Sequence, residues 1–263
     1  MNQIIFDVHS HLQFPDYDID RDAVIARMRA AGVKTITVGT DTQTSQQAIA
    51  LAEHYPDDLW ATAGIHPTDI DGFDAEKLLN LAGHKKVVAI GECGLDYFRI
   101  KDLGFKNKQK EVFEQHIEIA GKANKPLMIH CRPSKGTDDA YEDLISQMSK
   151  VKGQMSKVVH FFVGSLAVAK QLLELGCYFT FGGVITFARD YDEVIRFLPL
   201  EHILLETDAP FVAPEPYRGK RNEPAYVIEV AKKLAEIKDV AAEQVIKQTT
   251  ITVKKIFDTQ PFF

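Results

Sequence analysis

Histidines and carboxylates recur along this chain in short clusters: Asp7-Val8-His9-Ser10-His11, Gly64-Ile65-His66-Pro67, Gly91-Glu92-Cys93-Gly94-Leu95-Asp96, His130-Cys131-Arg132, His160-Phe161-Phe162 and Glu206-Thr207-Asp208. His9 and His11 stand two apart, and on an extended segment that spacing turns both imidazoles to one side, where a single cation could take both rings. A His-x-His pair alone is a weak signal. Imidazoles joined at one place by Glu92 and Asp208 are a stronger one, because mixed nitrogen and carboxylate donors suit a pair of divalent ions about 3.5 to 4 Å apart. Zinc, manganese and magnesium are all compatible with such donors.

Each residue also has a plainer reading. His130 and His160 follow apolar runs and could be buried rings satisfied by backbone carbonyls; Asp208 could cap a helix ahead of Ala209-Pro210. Asp7 shares the parity of the two histidines and could orient one of them, or be an ordinary strand-end residue. Glu92 is harder to dismiss, since it follows Val87-Val88-Ala89-Ile90-Gly91, and a carboxylate buried there without a cation or donors is costly. Three widely spaced cysteines, Cys93, Cys131 and Cys177, suit neither a disulfide framework nor a zinc knuckle and read as reduced core residues. The Gly-x-Ser-x-Gly elbow, the phosphate-binding Gly-x-x-x-x-Gly-Lys loop and a strand followed by Gly-x-Gly-x-x-Gly are all missing; Gly182-Gly183 reads as a tight turn.

What could gather these clusters is the alternation around them. Apolar, β-branched runs predict strands at 4–8, 34–39, 59–65, 87–91, 126–129, 157–161, 178–181 and 203–206. Apolar residues at helical spacing predict helices at 22–31, 45–54, 108–124, 166–175, 192–198, 224–236 and 241–257, among others. About eight strand-then-helix units describe an α/β protein of the TIM-like (β/α)8 barrel type, one domain over residues 1–263, although a doubly wound open sheet has the same alternation. In a barrel, chemistry collects at the C-terminal ends of the strands, and every cluster named above stands at such an end. The cationic stretch Arg218-Gly219-Lys220-Arg221-Asn222-Glu223-Pro224 follows the eighth strand, where barrels often bind phosphate; a solvated loop is the plain alternative.

With 31 Lys and Arg against 37 Asp and Glu over 263 residues, the net charge is −6. Adhesion to nucleic acid or anionic membrane through bulk charge is thereby excluded, and a phosphate-bearing partner needs a local positive site such as bound metal. The N-terminal MNQIIFDVHSH reaches acidic and histidine residues too early for a signal peptide, and no apolar run approaches a membrane span. A cytoplasmic location, no membrane partner and a monomer are expected.

Taken in order, His9-Ser10-His11, GIHP at Gly64, GECGLDY at Gly91, IHCR at Ile129, His160, ETDAP at Glu206 and RGKRNEP at Arg218 resemble the TatD family of metal-dependent deoxyribonucleases, within the amidohydrolase superfamily. The likeness runs nearly end to end, and GECGLD with ETDAP at this separation are its specific signals. It implies a distorted TIM barrel, two divalent ions, and hydrolysis of phosphodiester bonds in DNA, from the 3′ end or at abasic sites, in repair or degradation. It further implies that His9, His11 and Asp208 hold one ion, His130 and His160 the other, and that Glu92 bridges them. Asp208 would accept a proton from the attacking water, while His66 and the loop carrying Arg218, Lys220, Arg221 and Asn222 would face the substrate phosphate. Two stretches depart from the family pattern, Phe161-Phe162-Val163-Gly164 after the sixth-strand histidine and Thr252-Val253 near the C-terminus. Competing readings are a hydrolase of small amides or lactones with the same metals, and a catalytically idle binding protein; the fold alone does not choose among them.

Overall fold

A computed structural model describes residues 4–151 and 155–257. Its frame is one eight-stranded sheet in sequential order, with every neighbouring pair parallel: β1 (Ile5–Ser10), β2 (Val33–Thr37), β3 (Leu59–Ala63), β4 (Val87–Asp96), β5 (Leu127–Arg132), β6 (Lys157–Val159), β7 (Cys177–Phe181) and β8 (Ile203–Leu205). The strands read as near-continuous apolar runs because a parallel strand under helices is buried on both faces. The barrel closes just past the end of β8, where Ser10 bridges Ala209, the His11 amide donates to the Ala209 carbonyl (2.7 Å) and the Asp208 amide donates to that of His9 (2.8 Å). The result is the TIM-like (β/α)8 fold, distorted by this late closure.

Two layers of apolar side chains fill it. One cluster takes Phe6, Ile36, Trp60, Val88, Met128, Val158, Tyr178 and Leu204, one from each strand, which only the barrel interior can collect, and is joined by Val253, Ile256 and Phe257 at the end of the last helix. The other packs the outer strand faces against the helices, for example Ile5, Leu59 and Val87 with Val24, Ile25 and Met28. The helices are α1 (Arg21–Ala30), α2 (Thr42–His54), α3 (Ala75–Ala82), α4 (Leu103–Ala123), α5 (Asp139–Met148), α6 (Leu166–Glu174), α7 (Asp192–Phe197), α8 (Val227–Lys238) and α9 (Ala242–Ile256). Helix α4 starts earlier than its apolar period predicts, because the Asp102 carboxylate caps it by accepting from the Phe105 amide (2.8 Å). In α9, Thr252 donates its hydroxyl to the Glu201 carbonyl (3.2 Å) and Val253 enters the interior cluster.

Pairing slips between Asp7 and Ser10 on β1, and between Ile90 and Cys93 on β4. Irregularities of this kind re-aim side chains at barrel rims. Here they flank His9 and Glu92. No helix among the described residues is long and apolar enough to cross a membrane.

Candidate metal centre

The strand ends deliver the clusters to one mouth. His9 lies in β1 with His11 just beyond it, Glu92 lies within β4, His130 lies in β5, and His160 follows β6 directly; His66 and Asp208 stand three residues past β3 and β8. Two glycines let β4 carry Glu92 against β5. Gly91 and Gly94 have φ of 150° and 132°, and a Cβ on either would come within 2.2 and 2.1 Å of the Met128 and His130 carbonyl oxygens, so only glycine permits this approach. Asp208 also sits at positive φ (55°), a region that Asp tolerates better than most residues.

The two oxygens of Glu92 face different partners. Oε2 is 3.5 Å from His9 Nε2 and 3.9 Å from His11 Nε2. Oε1 is 2.8 Å from His130 Nδ1, 2.9 Å from His160 Nε2 and 3.6 Å from His66 Nε2. Asp208 Oδ1 completes the first group at 3.4 Å from His11 Nε2 and 3.8 Å from His9 Nε2. Within each group two imidazole nitrogens confront each other at 3.3 Å, His9 Nε2 with His11 Nε2 and His130 Nδ1 with His160 Nε2. Two lone pairs cannot share that space without a cation or a proton between them. With Zn–N bonds of about 2.0–2.1 Å and a tetrahedral angle, the nitrogens of two ligands come to stand about 3.3–3.4 Å apart. The donor set and its spacing therefore fit divalent metal binding, and His9, His11, Asp208 as well as His66, Glu92, His130 converge closely enough to share an ion.

Electrostatics agree. Burial favours the neutral acid of Glu92, but the charge of His160 and the bonds from His130 and His160 overcome it and hold the carboxyl well below the usual range. Against the same burial, Glu92 and Glu206 raise His160 well above an ordinary imidazole, and Asp208 raises His11. Without metal, protons on these rings supply the positive charge the carboxylates demand. His66 differs: burial pushes it down to about 3, so it is neutral.

Behind the ligands stands a second set of buried carboxylates whose roles were not read from sequence. Asp96, fully buried, lies 3.2 Å from His130 Nε2 and accepts from the Arg99 amide at 2.7 Å, so it turns the opposite nitrogen, Nδ1, toward Glu92. Glu206 accepts from the Phe161 amide (2.8 Å) and lies 3.6 Å from His160 Nδ1. Their placement at apolar strand ends beside a ligand was the available signal. Asp7 does not hold an imidazole: its carboxylate accepts from the Thr207 amide (2.9 Å) and hydroxyl (2.6 Å) and from the His9 amide (3.2 Å), tying β1 to the β8 loop. Asp208 caps no helix, since the chain after it runs through turns.

A cavity of about 1360 Å³ opens over these residues, and His11, His66, Glu92, His130, His160 and Asp208 line it, with His9 buried beneath. None of Arg218, Lys220, Arg221 and Asn222 lines it. The Arg218 guanidinium stacks on Phe187 (3.7 Å); Arg221 pairs with Asp20 (2.7 Å) and covers Tyr17; Asn222 is buried, donating to the Thr207 and Phe211 carbonyls (2.8 and 2.7 Å). Phe187 and Asp20 thus hold the two arginines of the loop away from the cavity wall. The cations on the cavity wall are Arg99 from the loop after β4, Arg132 at the end of β5, and Lys135 from the loop that follows it. Phe161 and Val163, where the sequence departs from the family pattern, also line it.

A (β/α)8 barrel whose mouth holds converging histidines and carboxylates defines a metal-dependent hydrolase. The family model described as TatD related DNase matches residues 6–258, and this chain belongs to that family. It is 40% identical to YabD of Bacillus subtilis (strain 168), an uncharacterised metal-dependent hydrolase, over 97% of this chain and 99% of that one. It is 33% identical to a 3′-5′ ssDNA/RNA exonuclease TatD of Pectobacterium parmentieri (strain WPP163), over 96% and 99% of the two chains. The crystal structure of YjjV, a TatD homologue from Escherichia coli K12, superposes with a TM-score of 0.86 at 29% identity, over 98% of this chain and 99% of that one.

Proposed function

We propose that this protein hydrolyses phosphodiester bonds in DNA with two divalent ions held in the barrel mouth, as a 3′–5′ exonuclease or an endonuclease at abasic sites. The observation that carries the reading is the division of Glu92, one oxygen toward His9 and His11 and the other toward His130 and His160. His9, His11 and Asp208 would hold one ion and His130 and His160 the other, with Glu92 shared. When bound, such ions supply charge against the phosphoryl oxygens and acidify a water toward neutral pH. Asp208, held ionised by His11 and His9 against its burial, would accept a proton from the attacking water. The Thr68 amide (3.2 Å) and hydroxyl (2.6 Å) both meet His66 Nδ1, which leaves Nε2 as the ring nitrogen turned toward Glu92 and the cavity; in the tautomer with its hydrogen on Nε2 the ring would donate to a phosphoryl oxygen. Arg132 and Lys135 add cationic contacts for flanking phosphates, and the name of the Pectobacterium relative supports a nucleic-acid substrate.

The test is turnover of a 3′-labelled DNA strand by protein reconstituted with zinc, manganese or magnesium, beside a panel of lactones. Shortening or internal cleavage of the strand is expected. Lactone hydrolysis with an intact strand under every metal would overturn the reading.

A further inference from the structure

Seven large apolar side chains are substantially exposed among the described residues, and only two of them, Phe98 (41%) and Phe211 (48%), line the cavity. An exposed phenylalanine is unremarkable by itself. These two are placed in relation to the site. Phe98 follows β4 and Phe211 follows β8, and in a ring of eight strands β4 and β8 lie four apart in either direction, so the rings occupy opposite rims of the mouth.

Both are held by neighbours. The Arg132 guanidinium stacks on Phe98 at 4.0 Å, and Lys101 Nζ lies 5.4 Å from the same ring. Across the mouth, Phe211 meets Phe14 edge-on (6.4 Å, 73°) and His11 likewise (6.2 Å, 66°), while Phe14 stacks on His11 (4.5 Å, 14°). The Phe211 backbone is held at both ends: its amide donates to the Asp208 carbonyl (2.8 Å) and its carbonyl accepts from Asn222 (2.7 Å). A solvent-facing ring held this firmly offers a π-face with little entropy left to lose.

Building on the nuclease reading, we propose that Phe98 and Phe211 are stacking platforms for the two bases of an unpaired strand that flank the scissile phosphate, one on each side. The reacting groups lie on the floor of the recess, with Glu92 and Asp208 side chains only 5% and 16% exposed, so a phosphodiester must descend between the rims to reach them. A strand that descends there leaves its neighbouring bases at rim height. A duplex keeps those faces stacked on one another; a single strand can turn them onto aromatic rings and guanidinium planes. Such stacking tolerates any base, because every base has a π-face, and Arg132 adds a cation beside one platform.

The test combines ring substitutions with missing bases. Single-stranded oligonucleotides carry a tetrahydrofuran abasic residue immediately 5′ or immediately 3′ of the cleaved bond, and are compared with the intact strand for wild type, Phe98→Leu, Phe211→Leu, Phe98→Trp and Phe211→Trp. Metal content and melting temperature confirm that each variant is folded. Each leucine variant is expected to raise KM for the intact strand about 5- to 30-fold with kcat less affected, and each tryptophan variant to restore it. For release of the 3′-terminal nucleotide, read apart from any incision at the abasic residue itself, removing the base on one side should cost wild type the same factor but cost one leucine variant nothing more, with the other variant insensitive to the opposite side. Unchanged KM in both leucine variants, a loss confined to kcat, or failure of tryptophan to rescue would overturn the platforms while leaving the nuclease reading standing. Wild type that cleaves no oligonucleotide would overturn both.

Discussion

The His160 ring lies face to face with that of His9, centroids 3.9 Å apart and planes 13° from parallel, although one follows β6 and the other lies in β1, and they face different oxygens of Glu92. Neither ring can tilt without moving the other, so the geometry of the two halves is set jointly. His160→Ala removes a donor from one half and a supporting wall from the other. It is expected to lose one ion outright and weaken the remaining one about 10- to 100-fold, the usual cost of removing a group that orients a ligand. Asp208→Asn should spare the ion at His130 and His160. Elemental analysis of both variants during titration with zinc checks this; a His160→Ala protein whose remaining ion binds as in wild type would show that the stack couples nothing.

Glu92→Gln tests the shared carboxylate. A neutral amide cannot serve two cations as an anion does, and the expected loss of turnover is about 1000-fold or more, with fewer than two ions per chain. In the metal-free protein the substitution also strands charge on His130 and His160, each of which contacts Glu92 Oε1. The melting temperature should therefore fall somewhat, but much less than activity. A variant that keeps near wild-type turnover with two ions bound would remove Glu92 from the bridge.

The fold and most of the candidate site were legible because both depend on local pattern. Parallel strands buried on both faces are long apolar runs, and barrel chemistry stands at their ends, so His9, His11, Glu92, His130, His160 and Asp208 could be picked out before any geometry was known. Strand lengths were less legible. Strand β4 continues five residues past Gly91 because β5 stays paired with it as far as Arg132, a partner that lies far off in sequence. The surroundings of the 218–222 cations were illegible for a similar reason. Arg221 is drawn to Asp20, 201 residues away, and Asn222 to backbone carbonyls of the β8 loop, contacts no spacing rule encodes. Phe98 and Phe211 carried no sequence signal beyond being aromatic near a motif; their exposure and opposition exist only once the barrel closes.

The two sets of cations, on the cavity wall and in the 218–222 loop, make a paired prediction. Lys135→Ala, which removes a cation from the cavity wall, should raise KM for DNA severalfold and flatten its dependence on salt. Arg221→Ala should leave KM and the salt slope unchanged and lower the melting temperature only slightly, because its bidentate pair with Asp20 is partly exposed and screened by solvent. Steady-state kinetics over a range of salt, beside thermal melts, separates the two. The opposite pattern would return the 218–222 loop to the substrate.

His116 provides a pH prediction away from the metal ligands. It is fully buried in α4, close to the Phe73 ring, with Nδ1 donating to the Val112 carbonyl (2.8 Å) and Nε2 accepting from the Ile65 amide (3.1 Å). Both nitrogens are used by the neutral ring, and a second proton would set N–H against N–H. Burial accordingly pushes its pKa down to about 4, with the Val112 bond opposing only in part. In the unfolded chain the same group titrates near 6.5, so between these values the unfolded state binds more protons. Stability from this residue is complete above about pH 6.5 and is lost as pH falls toward about 4; from pH 7.5 to 5 the loss is on the order of 2 kcal/mol. His116→Gln keeps a donor and an acceptor but cannot titrate. With both proteins stripped of metal, so that the remaining histidines titrate alike, the fall in melting temperature between pH 7.5 and 5 should be about 4–8 °C smaller in the variant. Equal falls in the two proteins would mean that the buried ring takes its proton without breaking the contact to Ile65.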